Sequence, residues 1–507
     1  MNITYRLLES LPRFSWGAKI QIANQQAEVF HGSGVEISDS GHALVEGAWN
    51  GSFSDFNFAN STTFSGTGIV QEESSLLFCS STDRLSPVFS IQKDGYTYVS
   101  NSYVFAMQLS DTAPHPLYPF YNHDILRHWR KGDHAQAGRL HLDDGHWMNM
   151  HVRTIVTCGV HGQISYRKYQ REECPKDYDH YFRILSDAVT KVLANARDPL
   201  RKIPLESAAA LSKGYDSSAT SRLARDAGCK IAHTLLDTKA ADPHHDSGAK
   251  HAAALGMECL EFDRYAFHQF DRLAEPEFCF NSSASSVPVS SMEDALVNRI
   301  YVTAPSGESA WDPKEVAPFE NFSSPWVRLP SGLSQIEFRL RVGYIVFAPP
   351  SIALIHNHAL LSIAKSEEMK PWNVDNPYNR PVARRIAETG GIPSDELGRK
   401  NFGGGHASLK ENSNFSKLGL ETYTKFNAMT KQTQPVLRWL YWRIRFALTY
   451  FLYYKLLSSK KKYIPSTPMQ RRFPFILNSP PQRYTWKYAF TFQWGYYELK
   501  ERYQITR

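Results

Sequence analysis

Hydrophobic and polar positions alternate in short runs up to about Arg171. Lys19 to Ile22 and Tyr96 to Val99 are such runs, and Gly, Ser, Asn and Asp lie between them. A period of two broken by turn residues predicts short β-strands, because successive side chains of a strand point to opposite faces. Asp94-Gly95 between two of these runs predicts a tight hairpin. After a polar, proline-containing joint at Glu172 to Lys176 the period changes. From Tyr178 to Ala194, the residues Tyr181, Leu185, Ala188, Val189 and Val192 recur at three and four, which predicts a helix with one buried face. From Leu205 the pattern alternates. Ala208 to Leu211 is a small-residue strand, Ser217 to Ala227 a helix, Ile231 to Leu236 a second strand and Asp246 to Leu255 a second helix. That alternation predicts a parallel sheet with crossover helices. After about Gly405 the chain turns polar, then aromatic and basic. Val436 to Leu457 carries Trp439, Leu440, Trp442, Ile444, Phe446, Tyr450, Phe451 and Tyr454 with three arginines. Apolar residues cover nearly all faces after Phe446, which predicts a buried or partner-facing helix; an interfacial membrane helix is the alternative.

Composition narrows the class. The chain has 507 residues, 42% hydrophobic and 21% charged, the range of folded globular protein, and its length suggests more than one domain. The net charge is +7, and the basic excess lies partly in the tail, around Arg438, Arg443, Arg445 and Lys460 to Lys462. No basic stripe crosses the middle of the chain, so nucleic acid is not an expected partner. The six cysteines, Cys79, Cys158, Cys174, Cys229, Cys259 and Cys279, form no Cys-x-x-Cys pair, which argues against a zinc knuckle. Few cysteines, no apolar leader after Met1 and no apolar run of the ~20 residues a spanning helix needs together predict a cytoplasmic protein.

The most informative stretch is Leu211-Ser212-Lys213-Gly214-Tyr215-Asp216-Ser217-Ser218, which leaves a strand and opens a helix. A loop in that position aims backbone N–H groups and the positive helix end at one spot, which suits a pyrophosphate. The hydroxyls of Ser212, Ser217 and Ser218 add donors. Gly214 permits close approach of the backbone, and Asp216 can hold a magnesium ion that bridges phosphates. No Gly-Lys-Ser/Thr follows four spacer residues, so this is not a Walker loop.

This loop resembles the Ser-Gly-Gly-x-Asp-Ser loop of the asparagine-synthetase and related ATP-pyrophosphatase families, with Lys213 in place of the first glycine. Further stretches resemble the same family in the same order. His233-Thr234-Leu235-Leu236-Asp237 is similar to its second strand, whose end lies beside the adenine. Asp246, Ala249, Ala252, Ala253 and Leu255-Gly256 are similar to its next helix. Ser306-Gly307-Glu308-Ser309-Ala310-Trp311-Asp312 resembles its Ser-Gly-x-Gly-Ala-Asp-Glu loop, with Trp311 where an acid is usual, and the resemblance implies Glu308 or Asp312 as a magnesium ligand. Tyr378 to Pro393 and Arg399-Lys400-Asn401-Phe402-Gly403 resemble the C-terminal pattern. They imply that Lys400 approaches the phosphates or the activated carbonyl and that Arg385 supports it.

Four stretches of the β-rich half resemble class II glutamine amidotransferases: Gly47 to Phe53, Thr82-Asp83-Arg84-Leu85-Ser86-Pro87-Val88-Phe89, Tyr98 to Asn101, and Gly145-His146-Trp147. That chemistry needs a cysteine as the processed first residue, and here Asn2 follows Met1, so glutamine hydrolysis is expected to be absent. The same loss occurs in beta-lactam synthetases and lasso-peptide cyclases.

The expectation is therefore an α+β sandwich domain over residues 1–172. An α/β parallel-sheet ATP-pyrophosphatase domain follows over 173–415, and an aromatic basic extension over 416–507. The expected activity is an ATP-dependent, AMP-forming carbon–nitrogen ligase. It adenylates a small-molecule or peptide carboxylate, releases pyrophosphate and passes the acyl group to an amine or ammonia. ATP and Mg2+ are its expected cofactors, and a homodimer is a candidate assembly. Leu211, Ser212, Gly214, Tyr215, Asp216, Ser217, Ser218 and Asp237 would hold the nucleotide. Lys213, Lys400 and Arg385 would act on the reacting groups, and Asp216, Glu308 and Asp312 would face the metal. The rival expectation is a scaffold that keeps this fold as an interaction subunit without catalysis.

Overall fold

A computed structural model of the chain describes all residues except 74, 133–136, 160–161, 282–285, 314–320, 324–330, 377, 399–414, 452–485 and 506–507. Strands in the first half are β1 (Asn2–Leu7), β2 (Trp16–Gln21), β3 (Gln26–His31), β4 (Glu36–Ile37), β5 (Ala43–Trp49), β6 (Phe64–Glu72), β7 (Ser75–Cys79), β8 (Val88–Lys93), β9 (Tyr96–Ser100), β10 (Gly138–His141), β11 (Trp147–His151), β12 (Ile155–Cys158) and β13 (Ile164–Arg167). They form a seven-stranded sheet in the order β1-β3-β2-β9-β8-β11-β10 and a six-stranded antiparallel sheet in the order β13-β12-β7-β6-β5-β4. The first is mixed, since β1 runs parallel to β3.

The two sheets face each other across a shared core. Trp16, Ala18 and Ile20, alternate residues of β2, meet Leu44, Ile69 and Phe78 of the other sheet there. The period of two read from the sequence thus puts one side of each strand into this layer. On the opposite side of β2, Gly17 leaves room for Phe105 and Leu109 of helix α1 (Tyr103–Leu109); a Cβ at this position would lie 2.6 Å from Leu109. The hairpin expected at Asp94-Gly95 joins β8 to β9, with both turn residues at positive φ.

The second half carries β14 (Glu206–Ala210), β15 (Ile231–Leu236), β16 (Glu258–Asp263), β17 (Arg299–Val302) and β18 (Ile345–Phe347). These form one all-parallel sheet in the order β16-β15-β14-β17-β18. The chain therefore combines a sandwich of mixed and antiparallel sheets with a downstream all-parallel sheet. Besides α1, the α-helices among the described residues up to Phe451 are α2 (Tyr121–Lys131), α3 (Tyr178–Ala196), α4 (Tyr215–Asp226), α5 (Ala249–Ala254), α6 (Glu293–Leu296), α7 (Gly307–Trp311), α8 (Ile336–Val342), α9 (Asn357–Ala364), α10 (Pro381–Thr389), α11 (Lys417–Thr433) and α12 (Val436–Phe451). Helix α3 starts where Asp177 accepts a hydrogen bond from the His180 amide at 2.8 Å, and it buries the face read from its periodicity.

Buried polar links join the halves. Arg339 of α8 donates to both carboxylate oxygens of Glu46 in β5, at 2.7 and 2.9 Å, and both side chains are almost fully enclosed. Thr67 donates to the same carboxylate at 2.6 Å, so the pair is extended by hydrogen bonds. Asn195 of α3 donates to Gly51 O at 2.9 Å.

Two expectations are corrected. The helix expected from Asp246 starts at Ala249 instead, because residues 243–246 form a turn, in which the Ser247 amide donates to His244 O at 3.0 Å, and Ser247 then pairs with Ser212 as an isolated β-bridge. The tail helix expected to be buried or partner-facing is α12, in which Phe446 and Thr449 are buried while Leu437, Leu440, Ile444 and Leu448 are exposed, so within the chain the buried half of that expectation holds for one face only. The reason is geometric: α12 meets the rest of the chain at Phe120, His115 and Trp486, so an all-round apolar surface is only partly covered. Further on, the C-terminal helix Thr491–Leu499 runs through the main core. Its Phe492 stacks on Tyr103 and Tyr121 at 5.1 and 5.0 Å. Among the described residues no helix is long and apolar enough to cross a membrane.

Candidate functional site

In the parallel sheet, β14 lies between β15 and β17, so the chain leaves β14 toward one side and later returns on the other. In open α/β sheets this reversal opens a crevice beyond the carboxyl ends of the strands. The segment Leu211 to Gly214 fills that position and passes into α4, whose N-cap is Gly214. Glycine offers no side-chain acceptor there, so the N-cap residue itself takes none of the first-turn amides.

The loop is held by its own donors. The Ser212 amide donates to Ser217 Oγ at 3.2 Å, the Gly214 amide to Ser212 Oγ at 3.2 Å and the Tyr215 amide to Tyr378 OH at 3.3 Å. Three backbone N–H groups thus converge on hydroxyl oxygens, the kind of acceptor a phosphate oxygen can replace. Tyr215 and Tyr378 stack at 4.6 Å, and burial raises the Tyr378 pKa, which keeps its phenol protonated. Ser218 is buried; its hydroxyl is 2.8 Å from His251 Nδ1 and 2.8 Å from Gly214 O. The other ring nitrogen of His251 faces Glu396 O at 3.1 Å, and burial lowers the histidine pKa. Ser218 and His251 therefore tie α4 to α5 and brace the loop from behind. Leu211 is buried under Gly248, where a Cβ would come within 2.6 Å of it.

Asp216, in the first turn of α4, forms an ion pair with Arg380 Nη1. Arg380 Nε lies 3.8 Å from Asp312, so one guanidinium spans two carboxylates. The Arg380 and Asp312 side chains are 4% and 2% exposed. Burial pulls the Arg380 pKa down to about 10, so the group stays charged at neutral pH. The turn after β17 comes in against the same carboxylate: a Cβ on Gly307 would lie 2.4 Å from Asp216 Cγ, so only glycine fits there. Glu308 follows in α7, half-buried.

The remaining expected residues divide. Lys213 sits in the loop, clamped through its backbone by Gly398, whose amide donates to Lys213 O at 2.8 Å, and its Nζ reaches His244 O at 3.4 Å. Asp237, at the end of β15, accepts from Tyr265 OH at 2.9 Å and Arg264 at 3.1 Å. Arg385 is turned toward α3: its guanidinium lies 3.6 Å over the Tyr178 ring and pairs with Glu368 at 3.0 Å. Lys400 lies outside the described residues. Sequence reasoning missed Tyr378 and Arg380 as site residues. Both stand at the head of the motif that nominated Arg385, and Arg380 precedes Pro381, the first residue of α10.

A divalent metal can be weighed against this donor set. Among the described residues no group of three or more His, Cys, Asp or Glu side chains could hold one. Asp216 and Asp312 are hard oxygen donors, and Asp216 Oδ1 is buried without a hydrogen-bond partner. Two carboxylates with phosphate oxygens are the usual complement of magnesium, so the residues fit an ion that arrives with a nucleotide better than one held by protein alone. Compared with models of known protein families and with curated proteins, the chain matches none.

Proposed function

We propose that the chain is an ATP-dependent amide-forming ligase of the asparagine-synthetase type, with ATP phosphates seated on the loop from Ser212 to Ser217. One observation carries this reading: the loop, the α4 N-terminus and the Asp216–Arg380–Asp312 cluster meet where the order of the parallel sheet reverses. The order of the five parallel strands and the sandwich before them also fit the nucleotide-binding and amidotransferase-like folds that the motifs resemble.

In this reading the amides of Ser212, Gly214 and Tyr215 exchange their hydroxyl partners for phosphate oxygens. Asp216 and Asp312 would hold magnesium, which when bound offsets the charge of the departing pyrophosphate. Arg380, released from its carboxylates, supplies a fixed positive charge beside the same phosphates. A substrate carboxylate would attack the α-phosphorus and expel pyrophosphate, and an amine or ammonia would then attack the acyl carbon of the acyl-adenylate, expelling AMP and losing a proton as the amide forms. Glutamine is not the nitrogen source through Cys79: that thiol is buried in β7, and burial pushes it up to about 12, so it stays protonated.

The catalytically silent scaffold has one observation of its own. Arg380 faces both carboxylates with one positive charge, the counter-ion role that a metal would otherwise fill. The two readings separate in a thermal-shift and equilibrium-binding experiment. Mg2+-ATP is expected to raise the melting temperature of the wild type and to bind Asp216→Asn at least about tenfold more weakly, the effect of one lost charge contact. A wild type that Mg2+-ATP neither binds nor stabilises would remove the ligase reading and leave the scaffold.

A further inference from the structure

Helix α12 carries a stripe of large apolar residues that nothing in the described structure covers. Leu437, Leu440 or Tyr441, Ile444, Leu448 and Phe451 recur at intervals of three and four, and all six are exposed, from 44% at Leu440 to 82% at Leu437. Residues at those intervals share one face of a helix. The opposite face is fixed to the body of the protein. Trp442 and Phe446 lie 6.1 and 5.9 Å from the Phe120 ring, and Phe446 lies 5.3 Å from Trp486. Arg438 is 2.8 Å from His115 Nε2, and Arg445 stacks 5.5 Å over Phe120. The stripe is therefore held outward on a docked helix.

Charge selects the occupant. Between Thr422 and Tyr497 the sequence has 13 Lys and Arg residues and no Asp or Glu. The whole chain has 57 basic and 50 acidic residues, so outside this segment 44 basic residues face 50 acidic ones, a net of −6. A second copy of the helix is disfavoured, because its own face offers no acid to pair with Arg438 or Arg443. A nucleic acid would use the arginines and leave Leu437, Ile444 and Leu448 in water. An anionic lipid surface takes both: acyl chains receive the aliphatic stripe, and headgroups receive the basic flanks, each worth a small increment at low salt. Tyr441, 58% exposed on the stripe, adds an aromatic side chain of the kind enriched at the lipid–water boundary.

We infer that α12 docks the protein on the surface of an anionic phospholipid bilayer, lying in the interface and not crossing it. The inference does not depend on the nucleotide reading. The test is flotation of the full chain with phosphatidylcholine vesicles, with and without phosphatidylserine, at low and high salt. The protein should float with the serine-containing vesicles, less so at high salt, and little with phosphatidylcholine alone. The double variant Leu440→Glu, Ile444→Glu should float about tenfold less. Both positions are exposed, and an unchanged melting temperature would show the variant folded. Failure of the wild type to float, or equal flotation of the folded double variant, would overturn the inference. So would a salt-resistant dimer that the double variant alone lacks, which would assign the stripe to a second copy. Retention on a single-stranded RNA matrix, with no flotation, would assign the arginines to nucleic acid.

Discussion

At the scale of single residues, Arg380 decides the character of the site. A guanidinium enclosed with two carboxylates removes the cost of burying either acid alone, and taking away one partner of such a cluster costs about 3–5 kcal/mol. Arg380→Met should therefore lower stability by about 3 kcal/mol, because Asp216 and Asp312 would face each other across an apolar side chain. It should also create a demand for a cation that the wild type lacks. Millimolar Mg2+ without nucleotide should raise the melting temperature of Arg380→Met and leave the wild type nearly unchanged. A variant indifferent to Mg2+ would show that the two carboxylates do not converge on one ion.

At the scale of elements, periodicity was legible where one face of a segment is buried. Strand β15 was expected at Ile231 to Leu236 and has those bounds, and α3 matches its expected start at Tyr178. Boundaries shifted where a side-chain or bridge contact outweighs local propensity: α4 begins two residues early, at Tyr215, and α5 begins late, behind the Ser212–Ser247 bridge. The position of the loop was legible because a small-residue strand ends before Ser212 and the glycine and polar residues that follow mark a turn into a helix. Arg380 was not, since an arginine beside other arginines at the head of a helix carries no local mark of which one turns inward. Which face of α12 packs on the body is not legible, because a helix apolar on nearly all faces has no signal for which one finds a partner. Lys213 tests the loop as an element. Its φ is not in the left-handed region, so Lys213→Gly requires no change of backbone. If the ammonium turns from the weak His244 contact to a phosphate, the variant should bind ATP about tenfold more weakly with its fold unchanged. Tighter binding or faster turnover in Lys213→Gly would show that the lysine impairs the loop.

At the scale of the whole molecule, segments remote in sequence are tied by polar groups inside a shared core. Glu337 is the clearest case. It lies on α8, accepts from Ser102 at the cap of α1 at 2.8 and 3.0 Å, and receives Tyr503 near the C-terminus. Sandwich, parallel-sheet half and the segment after the C-terminal helix thus meet at one carboxyl group. Burial pushes its pKa from the ordinary 4.5 up to about 7, against the opposing pull of the Tyr503 and Ser102 hydrogen bonds. Below pH 4.5 the group is protonated in folded and unfolded chains alike, and its contribution is fully present. As pH rises toward 7 the unfolded chain releases this proton while the folded chain keeps it, so stability falls. The loss over that interval is about 3 kcal/mol and levels off above the folded value. Glu337→Gln keeps the shape and hydrogen-bonding capacity of the side chain without the proton equilibrium. Urea melts across the window should show wild-type stability dropping by about 3 kcal/mol more than that of the variant between acid and neutral pH. Parallel pH profiles for the two proteins would mean that Glu337 is ionised in the fold, and that its three-way junction is an anion held by the hydroxyls of Ser102 and Tyr503.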